Sequence, residues 1–378
     1  MGMPTTRPRL SERVQRFARG SLPVVVLSLV AWAAVAPLST VQAAVGEERF
    51  ADLRRLSAPP FGAANALVIR VPVDAPALAN VAANAAAIEQ WVRELDDDAY
   101  LVRRRAELQL IAAGTPALAA VTKACDSHSA EVRTRARRIV AVLRHEQLAA
   151  GFRALGDMPD AAIDVEAGMI LISQLIDPAT EPAQIRRQLD AWAAQVRQRL
   201  GDADPRTVAP QQAVEAICQT LFGPGGLTGA SGNFDDPRNS ALSQVLKRRM
   251  GLPILLSQVA VAVGSRLGLP LEGVALPYRY MFKYDGSRAP AGFSRTDIIV
   301  DAFGGGRIVN EDDLEDIITG LGGGFDPLRH LRNCPRCETL TRMLRNVEAD
   351  LILEGEPLKA FQARTFQRRL QGGGSERP

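Results

Sequence analysis

At 378 residues the chain has room for two domains, and an apolar content of 47% is enough to fill real cores. The formal charge of +3 is unevenly placed, because Arg7, Arg9, Arg13, Arg16 and Arg19 face only Glu12 within the first 43 residues. Removing that excess of four leaves −1 for the rest, which excludes general nucleic-acid binding.

Residues 22–38 are almost wholly apolar and follow the arginines directly, and small residues lead up to Ala43. This order predicts a signal peptide over residues 1–43 or, if uncleaved, a membrane anchor at residues 22–38. Either way the body is expected outside the cytoplasm, in the periplasm or cell envelope. Cys125, Cys218, Cys334 and Cys337 are too few for a disulfide-built scaffold. Residues 44–84, rich in Ala, Pro and Val, read as a linker.

An internal repeat occupies residues 85–150. Val102-Arg103-Arg104-Arg105-Ala106 returns 30 residues later as Val132-Arg133-Thr134-Arg135-Ala136, each copy after a polar turn. The pattern predicts paired antiparallel helices that stack on their neighbours and resembles HEAT-type repeats. Leu101, Leu108 and Ile111 are the expected packing stripe, and the arginines read as a solvated helix face.

Three helices are expected next, over Ala162–Ile176, Glu181–Leu200 and Pro210–Phe222. Asp235-Asp236-Pro237-Arg238-Asn239-Ser240 then caps a helix ending at Met250-Gly251, and Pro253 opens a strongly apolar one. Strands are expected at Leu271–Leu276, Arg279–Tyr284 and Asp297–Phe303, followed by helices over Glu311–Ile318 and about Cys334–Leu353. Helices first and a small antiparallel sheet afterwards define a mostly helical α+β fold class.

Asp236-Pro237-Arg238-Asn239-Ser240, Leu246 to Pro253, Arg266 to Val274, Val300 to Gly306 and Thr341 to Val347 occur in series. Together they resemble the bacterial transglutaminase-like family named after the SirB locus, over a domain spanning residues 155–355. The resemblance implies a papain-like core in which a helix carrying the nucleophile position packs on an antiparallel sheet. That family usually continues into tetratricopeptide-like helices. Here residues 356–378 are expected to hold one short helix, Leu358–Leu370, and a disordered tail.

The chemistry does not survive the match. Carried over residue by residue, the nucleophile position falls near Ile254 or Leu255, the base position on Arg279 and the orienting carboxylate on Asp301. Residues 151–329 contain no histidine and one cysteine, Cys218. Cysteine–histidine catalysis needs a thiolate and a base within hydrogen-bond reach, and arginine does not deprotonate in proteins. Arg279 and Asp301 are expected instead to form an ion pair. Asn239 and Ser240 are helix caps or, from their place in the motif, lining of the old cleft, so with Arg279 and Asp301 they are the ligand-binding candidates.

Cys334-Pro335-Arg336-Cys337 reads as packing cysteines, a local disulfide or a redox pair. With His330 it lacks a fourth metal ligand, and no metal or other cofactor is expected. The expectation is an exported, non-catalytic transglutaminase-like protein that binds a protein or peptide, with membrane contact only through an uncleaved N-terminus. The alternative is a hydrolase or acyl transferase with other catalytic residues, or a thiol oxidoreductase using Cys334 and Cys337.

Overall fold

The computed structural model describes residues 85–201, 203–277, 279–320 and 324–372, which all fall in one compact unit, Ala75–Pro378. The expected signal segment, linker and final tail lie outside the described residues. Among the described residues no helix is long and apolar enough to cross a membrane.

Helices α1 (Ala85–Glu94), α2 (Tyr100–Ala113), α3 (Thr115–Ala124) and α4 (Ala130–Gly156) come first. A shift of 30 residues carries α1 onto α3 and the start of α2 onto the start of α4. Arg103 and Arg133 play the same part in both copies. Nη1 of Arg103 donates to the carbonyls of Asp97 and Asp98 at 2.7 and 2.8 Å. Nη1 of Arg133 donates to those of Ser127 and His128, each at 2.8 Å. These two arginines therefore tie down the turn before their helix rather than serving as a solvated face.

The packing stripe also differs from the expected one. Ala106, Leu110 and Ala113 of α2 are buried with Ala136, Val140 and Leu143 of α4, whereas Leu101 is 78% exposed. Glu107 supplies the reason. It is buried, with Arg104 at 3.2 Å, Arg135 at 3.1 Å and Arg138 at 3.5 Å around its carboxylate. A buried carboxylate is tolerable only with such partners, and reaching the α4 arginines turns this face of α2 inward.

The second layer holds α5 (Val165–Ile176), α6 (Pro182–Leu200), α7 (Pro210–Leu221) and α8 (Leu242–Arg248) around α9 (Pro253–Arg266). The predicted helix through Met250-Gly251 ends earlier. Arg249 takes a left-handed conformation, φ 58°, and Met250–Gly251 becomes β2, a two-residue strand parallel to β1 (Thr228–Gly229). Non-glycine residues enter that region at a cost and mainly at helix ends.

β3 (Leu271–Leu276), β4 (Arg279–Tyr284), β5 (Ile298–Asp301) and β6 (Arg307–Val309) form an antiparallel sheet in sequential order. Alternation puts Tyr280, Phe282, Tyr284 and Val300 in the main core with α9. Val274, Leu276, Met281 and Ile299 face a smaller core with α10 (Glu311–Thr319). After α11 (Pro327–His330), α12 (Arg336–Leu353) crosses α5 closely, since a Cβ on Gly168 would lie 2.5 Å from Leu340. α13 (Pro357–Gly372) packs on α12.

Replacing Arg103 or Arg133 with Ala should each cost about 1 kcal/mol, the lower end for a charge-assisted bond because both side chains are partly exposed. Urea denaturation of the two single variants and the double variant measures it. Near-equal, additive losses are expected from the shared geometry.

Candidate functional site

The resemblance points to one place, where the start of α9 meets the ends of β4 and β5. α9 is apolar on nearly every side, with Ile254, Leu255, Leu256, Val259, Ala260 and Val263 buried. Pro253 opens it, as suits a first helical turn whose N–H would be unpaired. Leu255 is 1% exposed and belongs to the main core. No acid, thiol or hydroxyl stands at this position. The nearest hydroxyl on the helix, Ser257 Oγ, is buried and donates to the Tyr280 carbonyl at 3.3 Å.

Arg279 and Asp301 do meet. Nη1 of Arg279 lies 3.6 Å from Oδ2 of Asp301. The contact is single rather than bidentate, and the Arg279 side chain is 48% exposed. Arg279 lies two residues from Met281 and Asp301 two from Ile299, both of which face the smaller core. The pair thus sits on the sheet face away from Leu255.

Asp301 has a second task. Its Oδ1 accepts from the Gly304 N–H at 3.0 Å, and its carbonyl accepts from Gly306 N–H at 3.0 Å. Gly305 and Gly306 have φ of 82° and 78°, which explains why this turn is written in glycine. The turn carries Phe303, which packs edge-on against Phe234 at 6.3 Å. Phe303 also lies where a Cβ on Gly229 would come within 2.7 Å of its ring. Phe234 is half-exposed, as is the Arg279 side chain on the other face of the sheet.

Asn239 and Ser240, read as helix caps or as lining of this cleft, are buried. They form a short 3-10 turn, Pro237–Ser240, opened by Asp236. Asp236 is chelated by Arg238 Nε at 2.9 and 3.0 Å and Nη2 at 2.7 Å, which holds its carboxyl below the usual range. Nδ2 of Asn239 donates to the carbonyls of Asn233 and Phe234, and the Asn239 carbonyl accepts from Leu252 N–H, the N-cap of α9, at 3.2 Å. The Pro237–Ser240 turn packs against α12, with Ser240 near the Asp350 carboxyl. Both side chains are buried, and it is the Asn239 backbone carbonyl that holds the start of α9.

The cysteines are free. Cys334 is buried and accepts from Thr339 Oγ1 at 3.4 Å, and Thr339 meets the buried Tyr280 hydroxyl at 2.8 Å. Nε2 of Gln258 donates to that hydroxyl at 3.0 Å. Burial pushes the Cys334 thiol up, the opposite of what a redox nucleophile needs. Cys337 Sγ donates to the Leu370 carbonyl at 3.3 Å, and the Asp160 carboxylate caps the backbone N–H groups of Arg336 and Cys337. Cys218 is half-buried on α7, its thiol raised by burial to about 12. His145 is engaged by Gln362 and Phe366, and His330 by Asp326 and Phe325. Among the described residues no group of three or more His, Cys, Asp and Glu side chains is arranged to hold a metal.

Residues 183–345 match the profile of the transglutaminase-like superfamily. This region is a transglutaminase-like domain. A UPF0162 protein of Xylella fastidiosa is 32% identical over 142 residues, 35% of this chain and 47% of that protein. A UPF0162 protein of Pseudomonas aeruginosa is 30% identical over 191 residues, 49% of this chain and 64% of that protein. F-box only protein 21 of Homo sapiens is 24% identical over 202 residues, 48% of this chain and 32% of that protein. The chain spans about half the length of the curated relatives it matches first. No solved structure matches it.

In the transglutaminase-like domain, the network from Gln258 through Tyr280 and Thr339 to Cys334 was not anticipated. It became visible only once α9, β4 and α12 were packed together. Asp350 was missed although the sequence carried a signal, since Met343, Val347 and Asp350 share one helical stripe.

Gly304→Ala should displace Asp301, because its Cβ would lie 2.8 Å from Oδ2, and should cost about 1–2 kcal/mol in a denaturation experiment. Thiol labelling of the native protein should modify Cys334 at least about a hundredfold more slowly than the denatured chain. Fast labelling would contradict its burial.

Proposed function

We propose that the chain is an exported, non-catalytic member of the SirB-type transglutaminase-like proteins that binds a protein or peptide at the old cleft. The carrying observation is Arg279. It stands where the resemblance puts the base, holds Asp301 by one 3.6 Å contact, and leaves a half-exposed side chain. A planar fork suits a carboxylate. An acidic segment of a partner protein is the ligand chemistry that fits it. On this reading α1–α4 are two HEAT-like units that brace the domain and extend the docking surface. The basic, apolar start of the chain supports export. Leu255 in the nucleophile position and the raised Cys334 thiol weigh against both the acyl-transfer and the redox alternatives.

The test pairs binding with turnover. Acidic and charge-neutral peptides of the same length, flanked by Phe or Leu, are titrated against the full chain by fluorescence anisotropy. Preference for the acidic set is expected, with Arg279→Ala weakening it by about tenfold. Peptide, ester and thiol-exchange substrates should give no turnover. Turnover abolished by alkylating the cysteines would replace this reading with the enzyme one. Intact-mass measurement of the chain recovered from the producing cell should show loss of residues 1–43 if the signal is cleaved.

A further inference from the structure

Asp350 is a buried acid with no ion pair among the described residues. It lies on α12 at 6% exposure, and Oδ2 has no hydrogen-bond partner. The turn packed against it, Pro237–Ser240, adds a second orphan. Asn239 is fully buried, and its Oδ1 has no partner. The Asn239 amide cannot flip to repair this, because Nδ2 is already committed to Asn233 and Phe234. This layer is therefore short of a donor. A neutral carboxylic acid brings one; a carboxylate brings none.

We propose that Asp350 is a protonation-controlled latch: as the neutral acid it holds the Pro237–Ser240 turn, and through it the start of α9, against α12, and as the carboxylate it loosens both. Two links carry the effect. The Pro237–Ser240 turn packs directly on α12, with Ser240 and Asp350 both buried in that contact. The residue before Ser240, Asn239, holds Leu252 N–H at the start of α9. Leu252 follows β2, whose partner strand β1 packs on Phe303 at the Gly304–Gly306 turn. The latch therefore reports to the cleft end of the domain. It stands on this packing alone and holds whether or not the cleft binds a peptide.

The charged surroundings favour the neutral form. Asp235 and Asp236 face Asp350 from the turn and Glu354 from its own helix. The nearby cations are already engaged: Arg238 chelates Asp236, with Arg248 3.6 Å from the same carboxylate. On α13, Lys359 pairs with Glu356 and Arg364 with Glu348. α5 has no charged side chain between Glu166 and Asp177. Burial first, then Asp235, raises the Asp350 carboxyl to about 7.

The sign follows from linkage. Unfolded, Asp350 loses its proton near the ordinary carboxylate value, about 3.9. The folded chain keeps it to about 7. Stability from the latch is complete at low pH, falls as pH rises through this window, and is level above it.

Amide hydrogen exchange of the full chain between pH 5 and 8, expressed as protection factors, tests the proposal. Amides of residues 233–252 should lose protection by at least about tenfold, and Asp350→Asn, whose amide keeps a donor and cannot ionise, should hold it within about twofold. An Asp350→Asn profile that follows the wild type overturns the latch, as does a loss shared equally by α1–α4. If that variant fails to fold, carbon NMR of the wild-type side-chain carboxyls decides. An Asp350 midpoint near 7 supports the proposal, and one near 4 overturns it.

Discussion

Helix α9 has no polar face to offer to water, so the domain must enclose it. The sheet covers one side, α5–α8 and α12 cover the rest, and this enclosure determines what the candidate site contains. Leu255 is spent on the core. The two polar residues inside α9, Ser257 and Gln258, would be costly if left unpaired, and both are answered by Tyr280 on β4. Tyr280 in turn reaches Thr339 and Cys334. The buried thiol of the Cys-Pro-Arg-Cys stretch is thereby absorbed into a structural chain of hydrogen bonds.

Asp301 is committed to holding the turn that follows β5. Its carboxylate is needed by the Gly304–Gly306 turn, which places Phe303 against Gly229 and Phe234. That demand stands whatever occupies position 279. With arginine there, the guanidinium is held by a single 3.6 Å contact and its side chain stays half-exposed.

The helical module before the domain depends on charge more than on apolar periodicity. Glu107 is buried only because arginines from α2 and α4 converge on it, and this cluster sets the rotation of α2. Arg103 and Arg133 then repeat one turn-bracing geometry at equivalent places, so the two helix pairs share a backbone solution as well as a sequence pattern.

The α+β class, the 30-residue repeat, the apolar α9, three of the sheet's strands and the absence of a base at position 279 were all legible in the residues themselves. Each rests on local periodicity, turn chemistry or residue type, which act over a few positions. Other features depended on groups far apart in the chain. The rotation of α2 came from arginines some thirty residues on, and the end of α8 at a left-handed Arg249 came from pairing with β1. The burial of Asn239 and Ser240 came from α12, more than a hundred residues later. Burial of a polar group is a property of what packs over it, and only the tertiary structure decides that.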